Sequence, residues 1–125
     1  YKFAEVAKYL EQLNYTICVV GNNEDKKSVM PIIKSCKNIL NKINHSPPAV
    51  IYSLALNSKI ILSNDTGPGH IASLAKNNFI WIVNNNSISR ASYPPGKHVH
   101  TIQSHSVKGI SSQEVISLIE KNKLY

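Results

Sequence analysis

Ile60-Ile-Leu62-Ser-Asn64-Asp65-Thr66-Gly67-Pro68-Gly69-His70-Ile71-Ala72 changes character halfway along its length. Ile60 to Leu62 is a short aliphatic run of the kind found in strands buried on both faces. A turn follows over Asp65 to Gly69, and apolar spacing resumes as a short helix from Ile71 to Lys76. A buried strand that feeds a helix through a short turn is the repeating unit of a parallel α/β sheet. The turn has chemistry of its own. Its backbone N–H groups belong to those that a helix start leaves unpaired, and the helix dipole adds roughly half a positive charge there. Gly67 and Gly69 carry no Cβ, so backbone can approach a ligand closely, while Pro68 fixes φ and stiffens the turn. The Thr66 hydroxyl can bond a free amide or an anionic oxygen. These are the requirements for holding a phosphate. A capped strand–helix turn with Thr66 as N-cap needs the same residues, so the turn alone leaves both readings open.

The same alternation extends in both directions. Phe3, Val6, Ala7, Leu10 and Leu13 recur at helical spacing to about Asn14. Thr16 to Val20 reads as a buried strand bounded by Gly21-Asn-Asn23. A second helix is expected from Lys27 to about Cys36, with Met30 and Ile33 inward; Ile39 to Ile43 fits either a short strand or the tail of that helix. Pro47-Pro48 open a helix that buries Val50, Ile51, Leu54 and Ala55, at a position where the missing N–H groups cost little. Phe79 to Val83 is the clearest strand. Asn84 to His98 is polar, broken by proline and glycine, and reads as a long loop. Val99 to Ile102 is a candidate last strand, and Ser111-Ser-Gln-Glu114 a capping box for a C-terminal helix that buries Val115, Ile116 and Ile119. The pattern implies one Rossmann-like domain over residues 1–125, a three-layer α/β sandwich with a mostly parallel sheet. Ligands in such folds sit beyond the carboxyl ends of the strands. Two loops there stand out, Gly21 to Asp25 and Asn64 to Gly69.

Composition narrows the function classes. The chain carries 14 Lys and Arg against 7 Asp and Glu, yet only Arg90 is arginine and the lysines are scattered. Base readout leans on Arg forks, so nucleic acid is not the expected partner, although the surplus favours any anionic ligand. No apolar run is long enough to span a bilayer, and no signal peptide is visible, so a cytoplasmic setting is expected. The chain does not begin with Met, as a piece of a longer protein would not. Cys18 and Cys36 read as free, buried thiols. His98-Val-His100 puts two imidazoles on one face of a strand, with no further ligand near enough for zinc. The hydrolase reading fails for want of a nucleophile elbow around Ser63. Gly67-x-Gly69-x-x-Ala72 matches the dinucleotide fingerprint, which needs an acidic residue about 20 positions on. Between Asp65 and Glu114 there is none, so no nicotinamide or flavin cofactor is expected.

With these residues in place, Asn64-Asp-Thr-Gly-Pro-Gly-His-Ile-Ala72 resembles the Asp-[Ser/Thr]-Gly-Pro-x-His-[Leu/Ile]-Ala signature of glycosyltransferase family nine, the lipopolysaccharide heptosyltransferases. Phe3-Ala-Glu-Val-Ala7 resembles the helix that opens the C-terminal domain of that family. Val19-Val-Gly-Asn-Asn-Glu24 is similar to its Leu-x-Gly-x-x-x-Glu strand and loop, and Arg90 to Gly96 to its Arg-x-x-Pro-x-Gly loop. Essentially the whole chain corresponds to the donor-binding, C-terminal half of these two-domain GT-B enzymes. The resemblance implies that Thr66, with the Gly67, Pro68, Gly69 and His70 segment, holds the diphosphate of an ADP-sugar such as ADP-heptose. It further implies that Asp65 orients the donor sugar and that Glu24 accepts from the ribose hydroxyls. His70 either touches a phosphate or locks the helix start. No metal is implied. The catalytic base, and the site for a glycolipid or saccharide acceptor, belong to the family's N-terminal domain, and the full-length protein would associate peripherally with the membrane. Two other classes remain at this point: a nucleotide-sugar epimerase of the same architecture, and a basic nucleic-acid-binding module.

Overall fold

The computed structural model describes residues 2–64, 67–84, 96–104 and 110–124. Along them run α1 (Lys2–Gln12), β1 (Ile17–Gly21), a 3-10 turn (Asn23–Asp25), α2 (Lys26–Ser35), β2 (Ile39–Ile43) and α3 (Pro48–Leu56). Then come β3 (Ile60–Asn64), α4 (Gly67–Ser73), β4 (Asn78–Asn84), β5 (Val99–Ser104) and α5 (Ser112–Lys121). Every strand pairing is parallel. β1 lies beside β2 with Ile17 opposite Ile39, and β4 lies between β3 and β5 with Phe79 opposite both Ile61 and Val99.

The layers follow from the alternation of side chains along β4. Ile80 and Ile82 point to one face, where they pack with Val6 of α1 and with Ile110, Val115 and Ile119 at and within α5. Phe79, Trp81 and Val83 point to the other, against Ile51 and Ala55 of α3 and Ala72 of α4. All five β4 side chains from Phe79 to Val83 are almost wholly buried, Ile82 showing the greatest exposure at 3%. Burying such a side chain contributes roughly 1.5–3 kcal/mol, which makes β4 the keel of the fold. The α/β class and the parallel pairing are therefore those expected, with helices on both faces.

Several boundaries differ. Ile39 to Ile43 is a strand, resolving the ambiguity in its sequence. Met30 is exposed at 41%, not inward; Ile33 is half-buried, as are Val29 and Ile32, which line the cavity described below. Pro47 and Pro48 do open α3, and Ile51 and Ala55 are its buried positions, with Val50 and Leu54 only half-buried. α4 begins at Gly67, so the glycine-rich segment is already its first turn; low helix propensity conceals such a start in the sequence. Of the two free cysteines, Cys36 is buried and Cys18 is not. Burial pushes both thiols above the ordinary range, Glu11 adding to the effect at Cys36, while Lys42 at Cys18 and Lys8 at Cys36 pull the other way. The parallel strands form two hydrogen-bonded sheets rather than one, β1-β2 and β3-β4-β5.

Candidate functional site

The loop after β1 is shaped by hydrogen bonds that its sequence carries in plain form. Asn22 Oδ1 accepts from the Glu24 amide at 3.0 Å, and Asp25 Oδ2 accepts from the Asn22 amide at 2.9 Å, a reciprocal capping box. This closes one tight turn and leaves Glu24 on its exposed side. Gly21 makes the approach possible. Its φ is +146°, and a Cβ there would come within 2.6 Å of Asp25 Oδ2. The corner is tied to the far end of β2. The Asn44 amide donates to the Gly21 carbonyl at 2.8 Å, the Gly21 amide donates to Ser46 Oγ at 3.2 Å, and Asn44 Nδ2 donates to Asn23 Oδ1. Asn22, Asp25, Asn44 and Ser46 were not singled out in the sequence. The Asn-x-x-Asp spacing at 22–25 was the available signal for the first two.

The turn after β3 is built differently. Asp65 and Thr66, the two residues assigned most of the polar contact, lie outside the described residues. Gly67 and Pro68 are exposed at the start of α4, and Gly69 is buried. The two glycines have separate reasons. A Cβ on Gly67 would meet nothing within 4 Å, so that side of the turn is open space. A Cβ on Gly69 would fall on the Ser63 hydroxyl and within 2.8 Å of the Trp81 ring. Gly69 is therefore what lets α4 sit directly on β3 and β4. His70 packs edge-on against Trp81, ring centroids 4.9 Å apart at 64°. Its carbonyl accepts from Ser73 Oγ at 2.7 Å.

The two loops meet at one cavity. A space of about 870 Å³ runs along β1 and β3, and at its carboxyl-end rim stand Gly21, Asn22 and Asp25 from one loop and Asn64, Pro68 and Gly69 from the other. The Asn64 side-chain oxygen there is buried with no hydrogen-bond partner. The Trp81 indole N–H is a second buried polar atom in that condition. Most of the remaining wall is apolar, from Val6, Leu10, Val29, Ile32 and Leu54. Polar recognition would thus be confined to the loop end; Glu24, exposed on its turn, is not among the residues that line the cavity.

Of the long loop expected over 84–98, residues 85–95 lie outside the described residues, Arg90 among them. Its end is ordered by Gly96, whose φ is +128° and whose missing Cβ leaves 2.5 Å to the His98 ring. His98 stands ahead of β5 rather than on it, and its Nε2 lies 2.8 Å from the Ser73 carbonyl, to which it must donate. The paired imidazoles expected on one strand face are therefore not a pair: His98 is a structural tie to α4. Among the described residues no three His, Cys, Asp or Glu side chains gather as a metal site.

The family model for glycosyltransferase family 9 (heptosyltransferase) matches residues 1–106. The structure of the E. coli ADP-heptose lps heptosyltransferase II superposes with a TM-score of 0.82 at 22% identity, covering 99% of this chain and 40% of that one. The glycosyl transferase family 9 structure from Veillonella parvula DSM 2008 superposes at 0.81 and 17% identity, covering 96% and 40%. The chain thus spans 40% of the length of each of these structures. No curated protein sequence matches it. At such identities the superpositions establish the fold, a mixed α/β one with parallel sheets shared with these GT-B proteins, and the family model establishes descent. By a match that runs over most of its length, the chain belongs to glycosyltransferase family 9, the heptosyltransferase family.

Proposed function

We propose that this chain is the donor-binding domain of an inverting glycosyltransferase. Its donor would be a nucleotide-diphosphate sugar of the ADP-heptose type, and its acceptor a saccharide of the lipopolysaccharide-core type. The observation that carries the reading is the single cavity rim shared by the Gly21–Asp25 loop and the start of α4. A nucleoside diphosphate sugar has hydroxyls at one end and a doubly charged linker in the middle, which matches a carboxylate loop facing a turn of helix-start amides. Glu24 would accept from the ribose. Thr66 and the amides from Gly67 onward would take the diphosphate, and Asp65 the sugar.

In the transfer step an acceptor hydroxyl attacks the anomeric carbon while the bond to the diphosphate oxygen breaks. The diphosphate leaves with the electron pair, and its growing charge is met by amides already oriented toward it, without a metal. The base that takes the acceptor's proton would come from an N-terminal domain, as would the acceptor site. The protein would act in the cytoplasm, at the inner face of the membrane where a glycolipid acceptor is reached.

Calorimetry with paired ligands tests the role of the turn. Asp65→Ala should reduce affinity for ADP-heptose at least about tenfold, or about 1.4 kcal/mol, and leave ADP affinity within about twofold. Equal losses for both ligands would remove Asp65 from the sugar and count against the reading.

A further inference from the structure

The five helices described differ in the charges they carry. α1 sets Lys8 against Glu5 and Glu11, and α5 sets Lys121 against Glu114 and Glu120. α3 has no charged residue, and α4 none beyond His70. α2 alone among them is cationic without an acidic residue, Lys26-Lys-Ser-Val-Met-Pro-Ile-Ile-Lys34-Ser35. Lys26, Met30 and Lys34 follow one another at four-residue spacing, with Lys27 beside them, so all four share one stripe. All four are exposed, while Val29, Ile32 and Ile33 on the other side are half-buried. Lys37, exposed just past the helix, extends the stripe. Lys8 joins it from α1, its ammonium donating to the Ser35 carbonyl at 3.2 Å. Of the acidic residues on neighbouring elements, Glu11 accepts from the Asn38 amide at 2.7 Å and Asp25 from the Asn22 amide at 2.9 Å. Glu24 lies in the turn before α2. From Lys26 to Asn64 the chain adds Lys42 and Lys59 and no acidic residue.

We infer that this stripe of α2 docks on an anionic membrane surface, with Met30 entering the headgroup layer between the lysines. The docking rests on the membrane setting proposed above and names the surface that makes the contact. Ammonium groups on flexible stems suit a layer of lipid phosphates, which calls for charge and not for a fixed geometry. Reading bases calls for fixed forks, and the stripe has no arginine. Met30, 41% exposed, is an apolar side chain with cations on either side of it along the helix, the combination that interfacial helices present to lipid. α2 starts where the Gly21–Asp25 loop ends, so docking along it keeps that loop beside the lipid surface.

Vesicle flotation of the chain reads the contact, with phosphatidylcholine containing about one quarter phosphatidylglycerol. Binding is expected at about 0.15 M salt, lost at about 1 M, and absent with phosphatidylcholine alone. Lys26→Gln, Lys27→Gln, Lys34→Gln and Lys37→Gln together should weaken it at least about tenfold. Lys76→Gln, Lys97→Gln, Lys121→Gln and Lys123→Gln, an equal change of net charge away from α2, should weaken it less than about threefold. Equal losses in the two quadruple variants would reduce the contact to net charge and overturn the docking, as would no binding at all. Tighter binding of duplex DNA through the same four α2 lysines would reassign the stripe to nucleic acid. Calorimetry with ADP on the same proteins keeps the two readings apart. Vesicle binding that fails while ADP still binds removes only this surface, and vesicle binding without ADP binding removes only the donor assignment.

Discussion

Gly67 and Gly69 sit two residues apart in one turn and should respond in opposite ways to the same substitution. Gly69→Ala places a methyl group on Ser63 and the Trp81 ring, so it should cost about 1–3 kcal/mol of stability by denaturant unfolding. Gly67→Ala meets open space and should leave stability unchanged or raise it by up to about 1 kcal/mol, since alanine is the better helix former. Its effect should appear instead as weaker ADP binding. A Gly69→Ala protein as stable as the parent would show that α4 does not rest on β3 and β4 through this residue. The two thiols supply a pH dependence. Their folded-state pKa values are raised, burial being the main cause, so the folded chain holds these protons more tightly than the unfolded one. Their contribution to stability is in place below the ordinary thiol pKa and is lost as pH rises through the folded value. Tm should therefore fall as pH rises above about 8.5, the ordinary thiol pKa, and fall less steeply when Cys18 and Cys36 are both replaced by Ala. An identical slope in the double variant would contradict this.

At the scale of elements, α5 depends on its cap. Ser111 Oγ accepts from the Glu114 amide at 3.1 Å, and Ser111→Ala should cost about 1 kcal/mol, read from a shifted denaturation midpoint at constant m-value. This element was legible because its signal is local: a Ser-x-x-Glu start followed by Val115 and Ile119 at helical spacing. β4 was legible for the complementary reason, a continuous apolar run that only a doubly covered strand accommodates. What escaped reading depends on contacts distant in sequence. Met30 and Val29 are both apolar, and only packing against α1 and the cavity decides which turns inward. His98 looked like half of an imidazole pair because nothing near it names Ser73, 25 residues away, as its partner. The start of α4 at Gly67 was concealed because its glycines and proline are poor helix formers, placed there by the Trp81 ring and the open rim rather than by propensity. Of the candidate site, the two loops were legible as the chemically unusual ones. The Asn22–Asp25 box left a local Asn-x-x-Asp signal, whereas the Asn44–Ser46 brace behind it left none, since it matters only once β2 lies beside β1.

For the whole molecule, the helices on the two faces leave the proposed donor site at one end of the strands. α1 and α5 close one face, α3 and α4 the other, and the loops assigned to the donor gather at the carboxyl ends of β1 and β3. The net charge of +7 raises affinity for any polyanion, but scattered lysines give no directional readout. Specificity must then come from the rim. Duplex DNA should bind weakly, with an affinity that collapses as salt is raised, whereas nucleotide binding should persist. Titration calorimetry of the folded chain with ADP-heptose, ADP and AMP tests donor recognition most directly. Saturable binding of ADP-heptose and ADP is expected, with AMP at least about tenfold weaker because the diphosphate contacts are lost. Equal affinity for AMP and ADP, or no binding of any of the three by a chain that circular dichroism shows to be folded, would contradict it.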